Sequence, residues 1–227
     1  MSARGFSVEG VLDAVAAQPH KGGAGRAVMF VSARRKEGVT TAARAVAEAA
    51  GPGAVYALDL DLKRNALAKT LSARAPLGPK IDGRFSGISF YALRSANHAP
   101  VREAAPAFGY HRVGHSRVHA GVFDVRAMPP GARVGIASGS SYWDAARASG
   151  AYLVVDSPAL DRSEIALRVA PHMDAVVLVV GSDRGAAPAA IAAKAALDAA
   201  GANVVGLIYA GATAPVMAIE QMGRQLG

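Results

Sequence analysis

The chain has 227 residues, 52% of them hydrophobic and 19% charged, with a formal net charge of +8. This composition excludes a disordered tail and is enough for a sizeable core. The absence of cysteine excludes disulfides, thiolate catalysis and cysteine metal sites, and no apolar run has the length of a membrane-spanning helix.

In chain order, residues 1–26 carry an amphipathic helix marked by Val8, Val11, Leu12 and Val15, followed by a glycine-rich joint at Lys21-Gly-Gly-Ala-Gly25. The first residues, Met-Ser-Ala-Arg-Gly-Phe-Ser, lack the apolar stretch of a secretory signal, so a cytoplasmic location is expected. From residue 27 two kinds of segment alternate. Strand-like runs occupy Ala27–Ser32, Ala54–Asp59, Tyr152–Asp156, Ala175–Val180 and Asn203–Tyr209. Alanine-rich helical stretches occupy Thr40–Ala50, Ser141–Ser149, Arg162–Val169 and Pro188–Ala200, and Gly51, Gly150 and Gly201 stand where left-handed helix caps belong. Strands that are apolar throughout, rather than alternating, suit a parallel sheet covered on both faces. The expected fold is therefore α/β: a doubly wound, mostly parallel sheet with helices on both faces, forming one domain over residues 27–227. Residues 72–139 break the rhythm. They hold six of the twelve prolines and read as an irregular insertion, with a hairpin over Tyr110–Arg126 turning near Ala120-Gly121.

In such a sheet ligands bind beyond the carboxyl ends of the strands. There the sequence runs from the first strand through Ser32-Ala-Arg34-Arg35-Lys36-Glu37-Gly38-Val39-Thr40-Thr41 into a helix. A phosphate-binding loop in this place needs glycines that expose backbone N–H groups, a lysine for the outer phosphates and a Ser or Thr for magnesium. Gly38 and Thr40 stand where they should, but Val39 occupies the lysine position and Ala33 that of the first glycine. Residues 34–41 are the candidate nucleotide-contacting residues. The second strand ends in Asp59-Leu-Asp61-Leu-Lys-Arg64 and the third in Asp156-Ser-Pro158. Asp59, Asp61 and Asp156 are the candidate catalytic residues of an active site here, and Thr40, Asp59 and Asp156 the candidate magnesium ligands.

These motifs resemble the Walker A, A′ and B motifs of the bacterial tyrosine kinases, within the MinD/ParA branch of P-loop proteins. Val-Val-Asp156-Ser-Pro, Leu-Asp59-Leu-Asp61-Leu-Lys-Arg, Pro171–Val180 and Val204–Ile208 carry the likeness, over roughly residues 27–71 and 140–209. The resemblance implies a P-loop NTPase-like fold and a Mg-ATP or Mg-ADP site. It also implies a cytoplasmic partner role toward an inner-membrane chain-length regulator in capsule or exopolysaccharide export. The departures point the other way. Val39 replaces the loop lysine. Leu12 and Val15 follow Glu9 where the family has arginines for ring contacts, Tyr209-Ala210 ends a strand that should offer an asparagine to adenine, and no tyrosine follows Tyr209.

The leading expectation is a non-catalytic relative that scaffolds or regulates the chain-length regulator, with the basic surface suited to anionic lipid. One alternative is an ATPase or tyrosine kinase using Arg34 or Lys36 unconventionally. Another is a ParA/MinD-like positioning protein, disfavoured because no clustered basic stripe for nucleic acid is visible. A homo-oligomer stays open. Three features read as structural. His111, His115 and His119 are solvated positions on one strand, Trp143 is core, and the serines around Gly139 cap a helix.

Overall fold

The computed structural model describes residues 7–102 and 105–210. The tyrosine-free tail after residue 210 and the extreme N-terminus lie outside the described residues. All five apolar runs form strands: β1 Arg26–Ser32, β2 Val55–Asp59, β8 Tyr152–Asp156, β9 Ala175–Val180 and β10 Val204–Tyr209. The helices are α1 Val8–Ala16, α2 Val39–Ala49, α3 Ala66–Ser72, α4 Ser141–Ala148, α5 Ile165–Val169 and α6 Ala186–Ala199. Gly150 and Gly201 adopt left-handed φ after α4 and α6, whereas α2 ends through an extended Ala50 and Gly51 makes no such cap.

Residues 72–139 are not irregular. They supply β3 Leu77–Asp82, β4 Tyr91–Arg94, β5 Phe108–Val113, β6 Val118–Phe123 and β7 Arg133–Ile136. The main sheet has eight strands in the order β10-β9-β1-β8-β2-β6-β5-β3, while β4 and β7 form a separate two-stranded ribbon. Pairing is parallel from β10 to β6 and antiparallel from β6 through β5 to β3. The hairpin turns at Gly114–Arg117, between β5 and β6, ahead of the expected Ala120-Gly121. Gly114 has φ 52 and donates its N–H to Pro76 O at 2.8 Å. Ala120 instead pairs with Ala57 of β2, and the Phe108 ring lies against Gly121, where a Cβ would come within 2.7 Å of it. That glycine makes room for a ring; it does not turn the chain.

Alternation along the buried strands splits the core in two. On β1, Val28 and Phe30 join one apolar cluster with α1, α2 and α3, while Ala27, Met29 and Val31 join the other with α4, α5 and α6. The first cluster takes in Val11 and Val15 of α1, so this helix packs with the rest of the chain. The glycine-rich joint is equally docked, with Gly23 and Gly25 pressed on the backbone of Arg147–Ala151. On the other face an aromatic group fastens the ribbon to the sheet, with Phe90 4.8 Å from Phe108 and Tyr91 5.3 Å from Phe123 between ring centroids. Trp143 is fully buried there, as expected of a core residue. Ser140 occupies the N-cap position of α4 but makes no side-chain cap bond. Among the described residues no helix is long and apolar enough to cross a membrane.

Candidate functional site

Strand β1 lies between β8 and β9, and β8 lies between β1 and β2. The carboxyl ends of these strands therefore open into a single crevice. Its volume is about 970 Å³, and it is lined by every candidate residue: 34–41, Asp59, Asp61 and Asp156. The sequence spreads these residues over more than a hundred positions, and the strand order brings them together.

The loop after β1 bends back through two left-handed residues, Lys36 at φ 67 and Gly38 at φ 93. Gly38 stands at the N-cap of α2 and brings no side-chain cap, so the helix begins inside the crevice with first-turn donors unclaimed by a cap. From α2, the Thr40 hydroxyl donates to Asp156 Oδ2 at 2.6 Å. Asp156 sits beside Asp59 in the β8–β2 register, and both carboxyls are almost fully buried. Burial raises the pKa of each above the ordinary carboxylate range. For Asp156 the charge of Asp59 adds to this and the Thr40 hydrogen bond opposes it. For Asp59 three backbone N–H groups oppose it. Those bonds, from Asp61 and Ala66 at 2.7 Å and Leu67 at 3.4 Å, make Asp59 the cap of α3, whose own N-cap Asn65 supplies none. Asp59 thus turns toward α3, whereas Thr40 and Asp156 turn toward each other.

The two arginines of the loop are already paired. Arg34 donates to Glu37 Oε1 at 3.0 Å and to Asp183 Oδ2 at 2.7 Å, and its backbone N–H donates to Glu37 Oε2 at 3.0 Å. Arg35 reaches Asp161 at 3.7 Å. On the far side, Arg162 donates to Asp61 at 2.5 Å and Arg64 stands 3.6 Å from the same carboxylate. Each of three pairs joins two strand-end loops: Arg34–Asp183 links those after β1 and β9, Arg35–Asp161 those after β1 and β8, and Arg162–Asp61 those after β8 and β2. Five cationic side chains line the crevice against six carboxyls. The crevice therefore lacks the cationic excess that the whole chain, at +8, carries elsewhere.

Val39 is half-buried and packs against the apolar cluster beneath α1 and α2. This decides how well a magnesium nucleotide fits. The Thr40–Asp156 pair has the donor set of a magnesium site, but a triphosphate also needs a cation at the start of α2. At that position the side chain is an isopropyl group, and Arg34, which lines the same crevice, is held by two carboxylates. The residues present do not fit a bound triphosphate. Among the described residues no group of three or more His, Asp or Glu side chains is arranged to hold a metal ion.

Sequence reasoning missed Asp161, Arg162, Gly181 and Asp183. The strand-end rule could have found them, since Asp161-Arg162 follows Asp156-Ser-Pro158 and Gly181-Ser-Asp183 follows β9 directly. The three histidines lie apart from the crevice lining and do not share a strand. His111 on β5 bonds Gly78 O at 2.8 Å, His119 on β6 stacks on Tyr56, and His115 lies in the turn between. No protein-family model matches the sequence, and no curated protein matches it.

Proposed function

We propose that the chain is a non-catalytic member of the P-loop class, related to the bacterial tyrosine kinases, that scaffolds or regulates an inner-membrane chain-length regulator in capsule or exopolysaccharide synthesis. One observation carries the non-catalytic part of this reading. At the tips of β1, β2 and β8 the carboxyls and Thr40 converge as in a nucleotide site, while the cation that would hold the phosphates is replaced by Val39, half-buried against an apolar cluster. The strand order β2-β8-β1-β9-β10, with the loop-bearing strand beside the Asp156 strand, supports the P-loop assignment. The part played at the membrane rests on the motif resemblance alone, and the basic character of the chain suits a site beside anionic lipid.

A positioned cation or donor at a phosphoryl group contributes about 3 kcal/mol, a factor of 10² to 10³. Without it, Mg-ATP and Mg-ADP are expected to give no heat of binding up to millimolar concentration. Micromolar binding by titration calorimetry would refute the non-catalytic reading and favour the rival one, an enzyme using Lys36. That side chain lines the crevice and carries no ion pair among the described residues. The partner is tested by isolating the chain from membranes of a cell that makes it. Recovery of a polysaccharide chain-length regulator is expected, and salt-dependent retention on DNA in its place would favour a positioning role.

A further inference from the structure

We propose that Glu37 and Asp183 form a carboxylate latch on Arg34 that closes the crevice to phosphate-bearing ligands. This inference rests on the reading of the crevice as a former nucleotide site, and it names what excludes the ligand besides the missing lysine.

The latch is built from both sides of the β1 tip. Glu37 is only 6% exposed, and its carboxylate is used completely by one neighbour: Oε2 accepts the Arg34 backbone N–H, and Oε1 accepts Arg34 Nε at 3.1 Å and Nη2 at 3.0 Å. Nη2 also donates to Asp183 Oδ2 at 2.7 Å. The other side of this contact is shaped to receive it. A Cβ on Gly181 would stand 3.1 Å from Glu37 Oε1, and one on Gly185 3.0 Å from Arg34 Nη1, so two glycines of the loop after β9 leave room for the acid and the guanidinium. Asp183 is itself held by the Gly185 N–H at 2.9 Å. Arg34, with its pKa raised by Asp183 and Glu37, is a firmly held cation whose Nε and Nη2 are committed to the two acids.

An anion entering the crevice must therefore compete with two carboxylates for the same guanidinium, and with Glu37 for a loop amide. It also meets their repulsion. The Glu37 carboxylate already accepts the Arg34 amide and guanidinium, and being covalently tethered it competes with a free anion as an intramolecular partner. Charge-assisted bonds of this kind are the strong class of hydrogen bond. Removing the charge of both acids while keeping their shape should free the guanidinium and the amide together.

The test uses the full chain and inorganic pyrophosphate, titrated calorimetrically at low and high salt without magnesium. The double variant Glu37→Gln/Asp183→Asn is expected to bind pyrophosphate at least tenfold more tightly than the parent, with an affinity that falls as salt rises. Adding Arg34→Gln should abolish the gain. Asp183→Asn alone, at an exposed position where folding is not at stake, should give part of it. Native circular dichroism establishes that each variant folds. A folded double variant no better than the parent would overturn the latch and leave the non-catalytic reading intact. A parent that already binds pyrophosphate as tightly as the variant would overturn the latch, and binding of Mg-ATP by the parent would overturn the function proposed above.

Discussion

At the pole opposite the crevice, Asp174 anchors the start of the sheet, and replacing it by alanine provides a quantitative test of the packing. Asp174 is 1% exposed and accepts the backbone N–H of Lys21 at 3.0 Å and of Ala27 at 2.7 Å. It also faces Arg147 Nη1 at 3.4 Å. Arg147 is 2% exposed and donates to His172 O at 2.9 Å and to the half-exposed Asp144 at 2.7 Å. Asp174→Ala orphans the buried Ala27 N–H, at a cost of about 1–3 kcal/mol, frees the part-buried Lys21 N–H, and removes the buried counter-charge of Arg147. The combined loss is about 3–5 kcal/mol, a large share of the roughly 5–15 kcal/mol that holds a domain together. Arg147→Met removes the other member but leaves Asp174 with both backbone donors. It also keeps an apolar stem in the space and ends the orphaned state of Arg147 Nε, which has no hydrogen-bond partner among the described residues. That variant should lose only about 1–3 kcal/mol, the scale of a lost hydrogen-bonded group, because the two backbone N–H groups still hold Asp174. Urea denaturation followed by circular dichroism reads both. Asp174→Ala must be the costlier change, and after it the double variant should lose little more. An alanine variant within about 1 kcal/mol of the parent, or the reverse order of cost, would refute the view that Asp174 is held chiefly by the two amides.

Three further outcomes are expected. Val39→Lys should gain Mg-ADP affinity if the loop backbone is still open, and the gain should be larger when combined with Glu37→Gln, as calorimetry will show. Equal silence in both variants would mean that the loop has lost its cradle altogether. Gly121→Val should cost about 1–3 kcal/mol by driving a side chain into the Phe108 ring, while Gly139→Val, at a glycine with open space around it, should not; thermal unfolding compares the two. In alkali, burial holds Tyr110 and Tyr142 well above the ordinary phenol range and pushes Tyr152 up to about 12. The unfolded chain ionises these phenols near pH 10, so between that value and the folded ones only the unfolded state has lost the protons. The tyrosines' contribution to stability is therefore constant below about pH 10 and falls as pH rises beyond it. Tyrosinate absorbance should show a late fraction that appears only with unfolding. A single early step for all six tyrosines, with a native spectrum, would contradict the buried Tyr110–Tyr142 pair.

The five apolar runs were readable as strands because a strand buried on both faces needs no partner to reveal it. The run Ala175–Val180 has every side chain in one or other cluster. The crevice was readable for a related reason. In a parallel sheet the strand ends share one side, so Thr40, Asp59 and Asp156 had to meet once the strand order allowed it. The substitution at Val39 is a property of the sequence alone. Tertiary structure decided the rest, because it rests on neighbours that no local pattern encodes. The hairpin register over Phe108–Phe123 follows from a ring that needs the space at Gly121, which leaves turn-forming to Gly114. The ribbon of β4 and β7 is set by aromatic contacts between distant segments. The partners of Arg34 and Arg35 lie 149 and 126 residues away, at Asp183 and Asp161. An ion pair carries no periodicity, so whether an arginine is free for a ligand or spent on a neighbouring loop is fixed only when the strands that bear those loops lie side by side.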